Sequence, residues 1–155
     1  MRYCQQHKGL EIYAFVIMSN HIHLLIRSSK GSMSDTIPEF KSFTAKQLLQ
    51  SIANEKKSRK DWMLNVFEFF AKKHNRKEKH QFWTHENHAE EIYSNKFIFQ
   101  KINYIHKNPV RAGIVENAED YLYSSARFYA EKSCLLDIVQ VIPEVTTANS
   151  PNFFK

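Results

Sequence analysis

The sequence predicts an α+β protein, and three observations support this fold class. Residues 10–28 (LEIYAFVIMSNHIHLLIRS) are rich in β-branched and aromatic residues, which is typical of strands. Residues 36–54 and 95–106 carry apolar residues at roughly helical spacing. Only three residues of 155 are glycine, against an average of about 7%, so an all-β sandwich or barrel with many turns is disfavoured.

Length and composition indicate one globular domain with a basic surface. The chain is long enough to bury a core of its own, and we place the domain at residues 1–142 and a loose tail at residues 143–155. The apolar share of 43% and the charged share of 25% are typical of globular proteins. Lys and Arg total 22 against 16 Asp and Glu, and the net charge of +6 favours a polyanionic partner.

The two predicted strands are separated by Ser19 and Asn20. The first strand is apolar on both faces, which indicates a central strand that is covered on both sides. The following helix is expected to be capped by Asp35 or Thr36 and to run to about residue 54, with Pro38 in its first turn.

The second clear helix is predicted over residues 95–106. It is expected to end at Asn108-Pro109, because the residue before a proline avoids the α region. The segments between and after these helices are predicted as a charged turn at 55–60, a helix or strand at 61–71, a basic loop at 72–80, a strand at 81–83, and a helix or irregular structure at 121–130.

Cysteine usage and hydropathy predict a reducing, cytoplasmic location. Cys4 and Cys134 make no disulfide framework. The longest wholly apolar run, residues 13–18, is far shorter than the roughly 20 residues that a membrane helix needs. The N-terminal residues also lack the pattern of a signal peptide.

Two histidines, His21 and His23, stand at the start of the second strand. Side chains alternate along a strand, so residues two apart project from the same face. The two imidazoles would form half of a metal site, or they are two polar residues at the mouth of a strand.

A tyrosine and an asparagine lie one helical turn apart in NYIHKNPVRAG. Tyr104 and Asn108 stack along one flank of the helix, beside the predicted core stripe of Ile98, Ile102 and Ile105. On this pattern alone, Tyr104 is also compatible with a boundary tyrosine that packs its ring and hydrates its hydroxyl.

Four segments together resemble the REP-associated tyrosine transposases, which are single-tyrosine, IS200-like transposases of the HUH endonuclease superfamily. The segments are SNHIHLLI, QFWTHENH, FIFQKINYIHKNPVRAGIV and YLYSSARFY, and the resemblance covers roughly residues 1–130. It implies an antiparallel sheet with flanking helices, of the ferredoxin-like kind. It also implies cleavage of single-stranded DNA near a hairpin, with a 5′-phosphotyrosine link and a free 3′-hydroxyl, followed by strand transfer or rejoining.

The resemblance also assigns roles to individual residues. His21 and His23 would be the histidines of the HUH motif, Tyr104 the nucleophile, and the Asn108 amide the third metal ligand. A tyrosine hydroxyl titrates near 10, so it needs assistance at neutral pH. A cation held by two imidazoles and an amide would polarise the scissile phosphate, and such mixed ligands suit Mg²⁺ or Mn²⁺.

Lysines and arginines in three segments are the candidates for contacts to DNA phosphates. They are Lys56, Lys57, Arg59, Lys60, Lys72, Lys73, Arg76, Lys77, Lys79 and Arg111. Phe82 and Trp83 are candidates for stacking on unpaired bases, although a tryptophan in such a segment is more often part of a core.

Two other functions remain open. One is a nucleic-acid-binding module without catalysis, and the other is a metal-dependent hydrolase that uses His21, His23 and an acidic residue to activate water. His85, Glu86 and His88 lack the spacing of a helical zinc site and are expected at the surface. His106 points away from the predicted tyrosine and is a poor candidate for a general base.

The start of the chain differs from the proteins that it resembles. About nine residues precede the first predicted strand, where those proteins carry a strand and a full helix. We therefore expect the strand that begins near Leu10, or its neighbour, to be an open sheet edge, and a homodimer or an exchange of elements to cover it.

Overall fold

The structure is a computed structural model that describes residues 1–54, 59–84 and 87–142, and its fold is α+β, as predicted. The described residues form two compact units, one of Met1–Lys30 with the residues from Glu91 onwards, and one of Gly31–Glu90. The elements are α1 (Arg2–Lys8), β1 (Leu10–Ile17), β2 (Ile22–Ser28), α2 (Met33–Asn54), α3 (Arg59–Lys73), α4 (Asn95–Arg111), a 3-10 turn (Ala118–Asp120) and α5 (Ala126–Tyr129).

The two predicted strands are confirmed and form an antiparallel pair. The register places Ile12 opposite Ile26 and Ile17 opposite Ile22, with a bulge between Ile12 and Ala14. The connection is closed by the Met18 N–H, which donates to the carbonyl of His21 (2.9 Å). His21 therefore belongs to the turn, and β2 begins immediately after it.

Of the two strands that were expected to offer an open edge, β1 is the covered one, because a later part of the same chain pairs with it. Val16 forms an antiparallel bridge with Ser124. The Ile17 N–H donates to the carbonyl of Tyr123, and the Val139 N–H donates to the carbonyl of Ile12, both at 2.9 Å. The backbone groups on this side of β1 are thus satisfied within the chain. Among the described residues, no strand other than β1 pairs with β2.

The core of the first unit lies between β1 and α4. Ala14, Phe15 and Val16 are consecutive and fully buried, so both faces of β1 are covered, as its apolar pattern predicts. Ile102 and Ile105 of α4 pack into the same cluster as Ala14 and Val16. The isoleucine stripe thus fixes which face of α4 turns inward.

Helix α4 does not end before Pro109, as predicted, but continues to Arg111. Pro109 is fully buried, so packing outweighs the local preference against a helical residue before proline. The helix ends instead at Gly113, whose φ of +67° allows its N–H to donate to Val110 and the N–H of Ile114 to donate to Pro109. This pair of hydrogen bonds is a Schellman motif.

In the second unit, α2 begins at Met33, two or three residues before the predicted caps. Ser32 is the capping residue, because its hydroxyl accepts from the Ser34 N–H (3.0 Å) and its carbonyl accepts from the Thr36 N–H (3.1 Å). Pro38 consequently lies inside the helix, beyond its first turn.

The ambiguous segment at 61–71 is helical and belongs to α3. The strand predicted at 81–83 is absent, because these residues bond to the helices α2 and α3 instead of to a partner strand. The Gln81 N–H donates to the carbonyl of Phe67 (3.0 Å), and the Trp83 indole donates to the Thr44 hydroxyl (3.0 Å). Most of the predicted charged turn and the predicted tail lie outside the described residues.

None of the described helices has both the length and the apolar character that crossing a bilayer requires.

Gly9, which links α1 to β1, is predicted to be the least replaceable glycine of the first unit. Its φ is +65°, and a Cβ there would stand 2.8 Å from Ser29 Oγ and 2.9 Å from the Lys30 backbone nitrogen. Gly113 has a similar φ of +67° but open space around it. We expect Gly9→Ala to lower the free energy of unfolding by more than Gly113→Ala, which should cost about 1 kcal/mol. Urea denaturation of both variants measures the difference, and equal losses would contradict the steric argument.

Candidate active site

The two histidines of the turn and strand lie side by side. The ring centroids of His21 and His23 are 4.9 Å apart, and the rings meet edge to face. His21 Nδ1 lies 2.7 Å from the side-chain oxygen of Asn20. Because that oxygen only accepts, His21 Nδ1 is the donor in this contact, and Nε2 is the ring nitrogen that remains for a further partner.

His23 is half-buried, and its surroundings favour the neutral imidazole. Burial lowers the pKa of His23 below its ordinary value near 6.5, and the positive charges of His21 and Lys101 lower it further. A neutral imidazole is the form that binds metals, so His23 is ready to act as a ligand at neutral pH.

Tyr104 extends from α4 towards the histidine pair. The centroids of the Tyr104 and His23 rings are 5.3 Å apart in an edge-to-face contact. The Arg111 guanidinium lies over the same tyrosine ring, 5.1 Å from its centre. The side chain of Tyr104 is nevertheless 42% exposed, so its hydroxyl is accessible to a large substrate. Packing of α4 on the sheet thus unites His21, His23 and Tyr104 at one place.

Asn108 is held one helical turn beyond Tyr104. Its side-chain nitrogen donates to the Tyr104 carbonyl (2.9 Å), which is a local contact along the helix. Since this bond occupies the nitrogen side of the amide, Oδ1 is the atom of Asn108 that is available as a metal ligand.

The donor atoms of these residues fit a divalent cation. Two imidazoles and one amide oxygen are a mixed nitrogen and oxygen set. In the described ranges (1–54, 59–84 and 87–142), no group of three or more His, Cys, Asp or Glu side chains could hold a metal ion. The third ligand predicted from the sequence, the Asn108 amide, is not one of these four residue types.

The predicted DNA-binding residues of the second unit lie mostly on exposed parts of α3 and the segment that follows it. Lys56 and Lys57 lie outside the described residues. Glu68 holds Lys72 (2.7 Å) and Lys79 (3.9 Å), and the hydrogen bond and charge of Lys72 lower the pKa of Glu68. The remaining described members are Arg59 and Lys60 at the start of α3, Lys73 at its end, and Arg76 and Lys77 beyond it.

Phe82 and Trp83, the candidates for base stacking, pack instead within the second unit. The Phe82 ring lies 5.2 Å from that of Phe67, and the Trp83 ring lies 6.3 Å from that of Phe40. Both side chains are half-buried, so they support α2 and α3 rather than a base. His85 and Glu86 lie outside the described residues, and His88 is exposed.

Ser125, for which no role is predicted from the sequence, links β1 to α4 in the structure. Ser125 is fully buried, its hydroxyl accepts from the Phe15 N–H (2.8 Å), and the same oxygen lies 2.9 Å from Nε2 of His106. The signal that could have revealed it is a pair of serines between aromatic residues in YLYSSARFY.

His106 lies on the inner side of α4, with Nε2 at the Ser125 hydroxyl. Its ring packs at a tilt against that of Tyr129, with the centroids 5.1 Å apart, and burial lowers the pKa of His106 from about 6.5 to about 4. It is therefore neutral at physiological pH and serves packing, in agreement with its rejection as a general base.

Comparison with known proteins gives one family. A family model described as "Transposase IS200 like" matches residues 1–78. The match includes β1, β2 and the two histidines, and it ends before α4. No curated protein and no solved structure matches the chain.

The burial of His106 predicts a pH-dependent stability. In the unfolded chain His106 takes up a proton below pH 6.5, whereas in the folded protein it does so only near pH 4, so stability falls as pH falls through this window. This histidine should cost roughly 2–3 kcal/mol between pH 7 and pH 4.5. The substitution His106→Gln keeps a hydrogen-bonding side chain but does not titrate. Denaturation at both pH values should show a smaller loss in the variant, and an unchanged loss would refute the prediction.

Proposed function

The chain belongs to the IS200-like transposase family, and from this premise we propose that it cleaves and rejoins single-stranded or hairpin DNA through a 5′-phosphotyrosine intermediate. The observation that carries the proposal is the contact between the rings of Tyr104 and His23. His23 lies within the residues that match the family model, whereas Tyr104 lies on α4, beyond the matched residues. The finer assignment to the REP-associated, single-tyrosine HUH group rests on the motifs around these residues.

In the proposed reaction, Tyr104 Oη attacks the scissile phosphorus. The new Tyr–O–P bond forms as the bond from phosphorus to the 3′-oxygen breaks. The tyrosine proton passes to solvent, and the leaving 3′-oxygen takes up a proton from water. Rejoining is the reverse attack by a 3′-hydroxyl on the phosphotyrosine. The phosphodiester energy is conserved in the covalent link, so no nucleotide cofactor is required.

His21, His23 and Asn108 are the residues that we propose hold a divalent metal, Mg²⁺ or Mn²⁺. When bound, the cation acts as a Lewis acid on the phosphate oxygens and helps to orient the scissile bond. Arg111, which lies over the Tyr104 ring, would supply a fixed positive charge near the phosphate.

The exposed basic residues of the second unit are proposed to bind the remainder of the DNA. The pairs that Glu68 makes with Lys72 and Lys79 are at the surface and therefore weak, so phosphates can compete for both lysines. The proposed set is Arg59, Lys60, Lys72, Lys73, Arg76, Lys77 and Lys79, together with Lys56 and Lys57 on the sequence pattern alone.

The alternatives differ from this proposal in what they require. The metal-dependent hydrolase, which would activate water, needs an acidic ligand beside His21 and His23. The described residues offer no such cluster. A binding module without catalysis needs neither an accessible Tyr104 nor neutral imidazoles beside it. The homodimer stays a prediction, and it would form through the side of β2 that pairs with no other described strand. The cytoplasmic location also stays a prediction.

The substitution Tyr104→Phe is expected to abolish the covalent adduct, because it removes the nucleophilic oxygen and leaves the ring that contacts His23 and Arg111. The control is Tyr123→Phe, since Tyr123 is 49% exposed and Tyr104 is 42% exposed. Both proteins are incubated with hairpin oligonucleotides that carry single-stranded arms, and adducts are separated on denaturing gels. Adduct formation should persist in the control. An undiminished adduct in Tyr104→Phe would exclude this residue as the nucleophile.

The substitution His23→Ala is expected to remove metal binding and cleavage together, because one imidazole ligand is lost. The control is His7→Ala, which removes an exposed histidine that stacks on Tyr3 in α1. Titration calorimetry with Mn²⁺ measures binding, and the adduct assay measures cleavage. A metal-binding site that weakens at least 10-fold in His23→Ala alone supports the assignment, whereas equal Mn²⁺ affinity in all three proteins contradicts it.

A further inference from the structure

An open cleft lies directly beside Tyr104 on the outer face of α4. It has a volume of about 300 Å³, and the side chains that line it are Phe97, Gln100, Lys101, Asn103, Tyr104 and Arg111. Tyr104 belongs both to this cleft and to the contact with His23. A strand whose phosphate lies at Tyr104 therefore has a neighbouring nucleotide within reach of the cleft.

Two aromatic rings of the cleft each have a cation beside them. Lys101 Nζ lies 4.8 Å from the centre of the Phe97 ring, and the Arg111 guanidinium lies 5.1 Å from the centre of the Tyr104 ring. An aromatic ring offers a surface for a base, and an adjacent cation offers a contact for a phosphate. Phe97 and Tyr104 are two turns apart, about 10 Å along the helix, which leaves room for a base on Phe97 while a phosphate reaches Tyr104.

The remaining lining residues can distinguish bases. Gln100 and Asn103 are exposed, and their amides both donate and accept hydrogen bonds, as the edges of unpaired bases do. No acidic side chain is among the described residues that line the cleft, so nothing there repels a phosphate. The volume is at the lower end of the roughly 300–1,000 Å³ of ligand sites, which suits one nucleotide rather than a duplex.

We propose that this cleft binds one unpaired nucleotide next to the scissile phosphate, with Phe97 as the stacking platform, Lys101 at the backbone phosphate, and Gln100 and Asn103 as readers of the base edge. The proposal rests on the proposed function and adds to it a base preference at one position adjoining the cleavage site. Phe97 is a positioning residue, because it orients the strand and does not touch the reacting atoms.

The first experiment measures stacking without requiring cleavage. The substitution Phe97→Trp is made in the Tyr104→Phe background, and indole fluorescence is followed during titration with a mixed-sequence single-stranded dodecamer. The protein without Phe97→Trp provides the reference, because Trp62 and Trp83 also emit. Quenching of the added indole by the single strand, and much less by the duplex of the same sequence, is the expected result. Unchanged emission at saturating DNA would overturn the proposal.

The second experiment measures the base preference. A pool of hairpin oligonucleotides with randomised single-stranded arms is offered to the active protein, and the covalently bound DNA is sequenced. In Phe97→Leu, which keeps an apolar side chain but cannot stack, adduct yield should fall about 10-fold at subsaturating DNA. Phe97→Trp should retain the yield. Gln100→Ala with Asn103→Ala should flatten the base preference at one position adjoining the cleaved bond.

A matched control separates this cleft from general DNA binding. Phe69→Ala removes a phenylalanine of α3 that is 61% exposed and should leave the preference at the cleavage site unchanged. A preference that survives both the Phe97→Leu and the amide substitutions would refute the proposal while the transposase function stands. Quenching without any adduct from the unsubstituted protein would instead refute the proposed function and retain the cleft as a site for single-stranded DNA.

Discussion

The hydrogen bonds of Ser125 are the interaction on which the geometry of the site depends. The side chain is fully buried, and its oxygen accepts from the backbone N–H of Phe15 while it lies within hydrogen-bond distance of His106. The Ser125 N–H donates in turn to the Phe15 carbonyl (2.9 Å). One residue thus connects β1, the segment that follows α4, and α4 itself. A buried polar group in such a position is costly to leave unpaired, which favours one arrangement of the three elements.

The hydrogen bonds of Ser125 also affect the face of α4 that lies opposite His106. The inner face is fixed by His106 and by Ile102 and Ile105, which pack on β1. The outer face must then present Tyr104 towards β2, where it meets His23. The pKa values of the two histidines are both lowered chiefly by burial, yet they serve different ends. His106 is neutral as part of the core, whereas His23 is neutral at a surface that a substrate can reach.

The features that the sequence predicted correctly are those set by local pattern. The β-branched and aromatic residues predicted both strands, and the apolar residues on both faces of β1 predicted that both faces are covered. The helical period predicted α4 and its isoleucine stripe. The errors have a common physical origin in contacts between distant residues. The bridge from Val16 to Ser124 joins residues more than one hundred positions apart and closes the edge that the sequence left open. The contact of Trp83 with Thr44 likewise replaces the strand predicted at residues 81–83.

The prediction that α4 ends before Pro109 was wrong, and the position of its true end matters for the site. Had the helix ended at Asn108, before Pro109, Arg111 would have left the helical register of Tyr104. Because Pro109 is buried and the Schellman motif at Gly113 ends the helix later, Asn108 and Arg111 remain four and seven positions after Tyr104 on a continuous helix. Residues at such spacings share one face. Tyr104 and Arg111 therefore share a face because packing holds Pro109 within the helix, against the local preference of the residue before it.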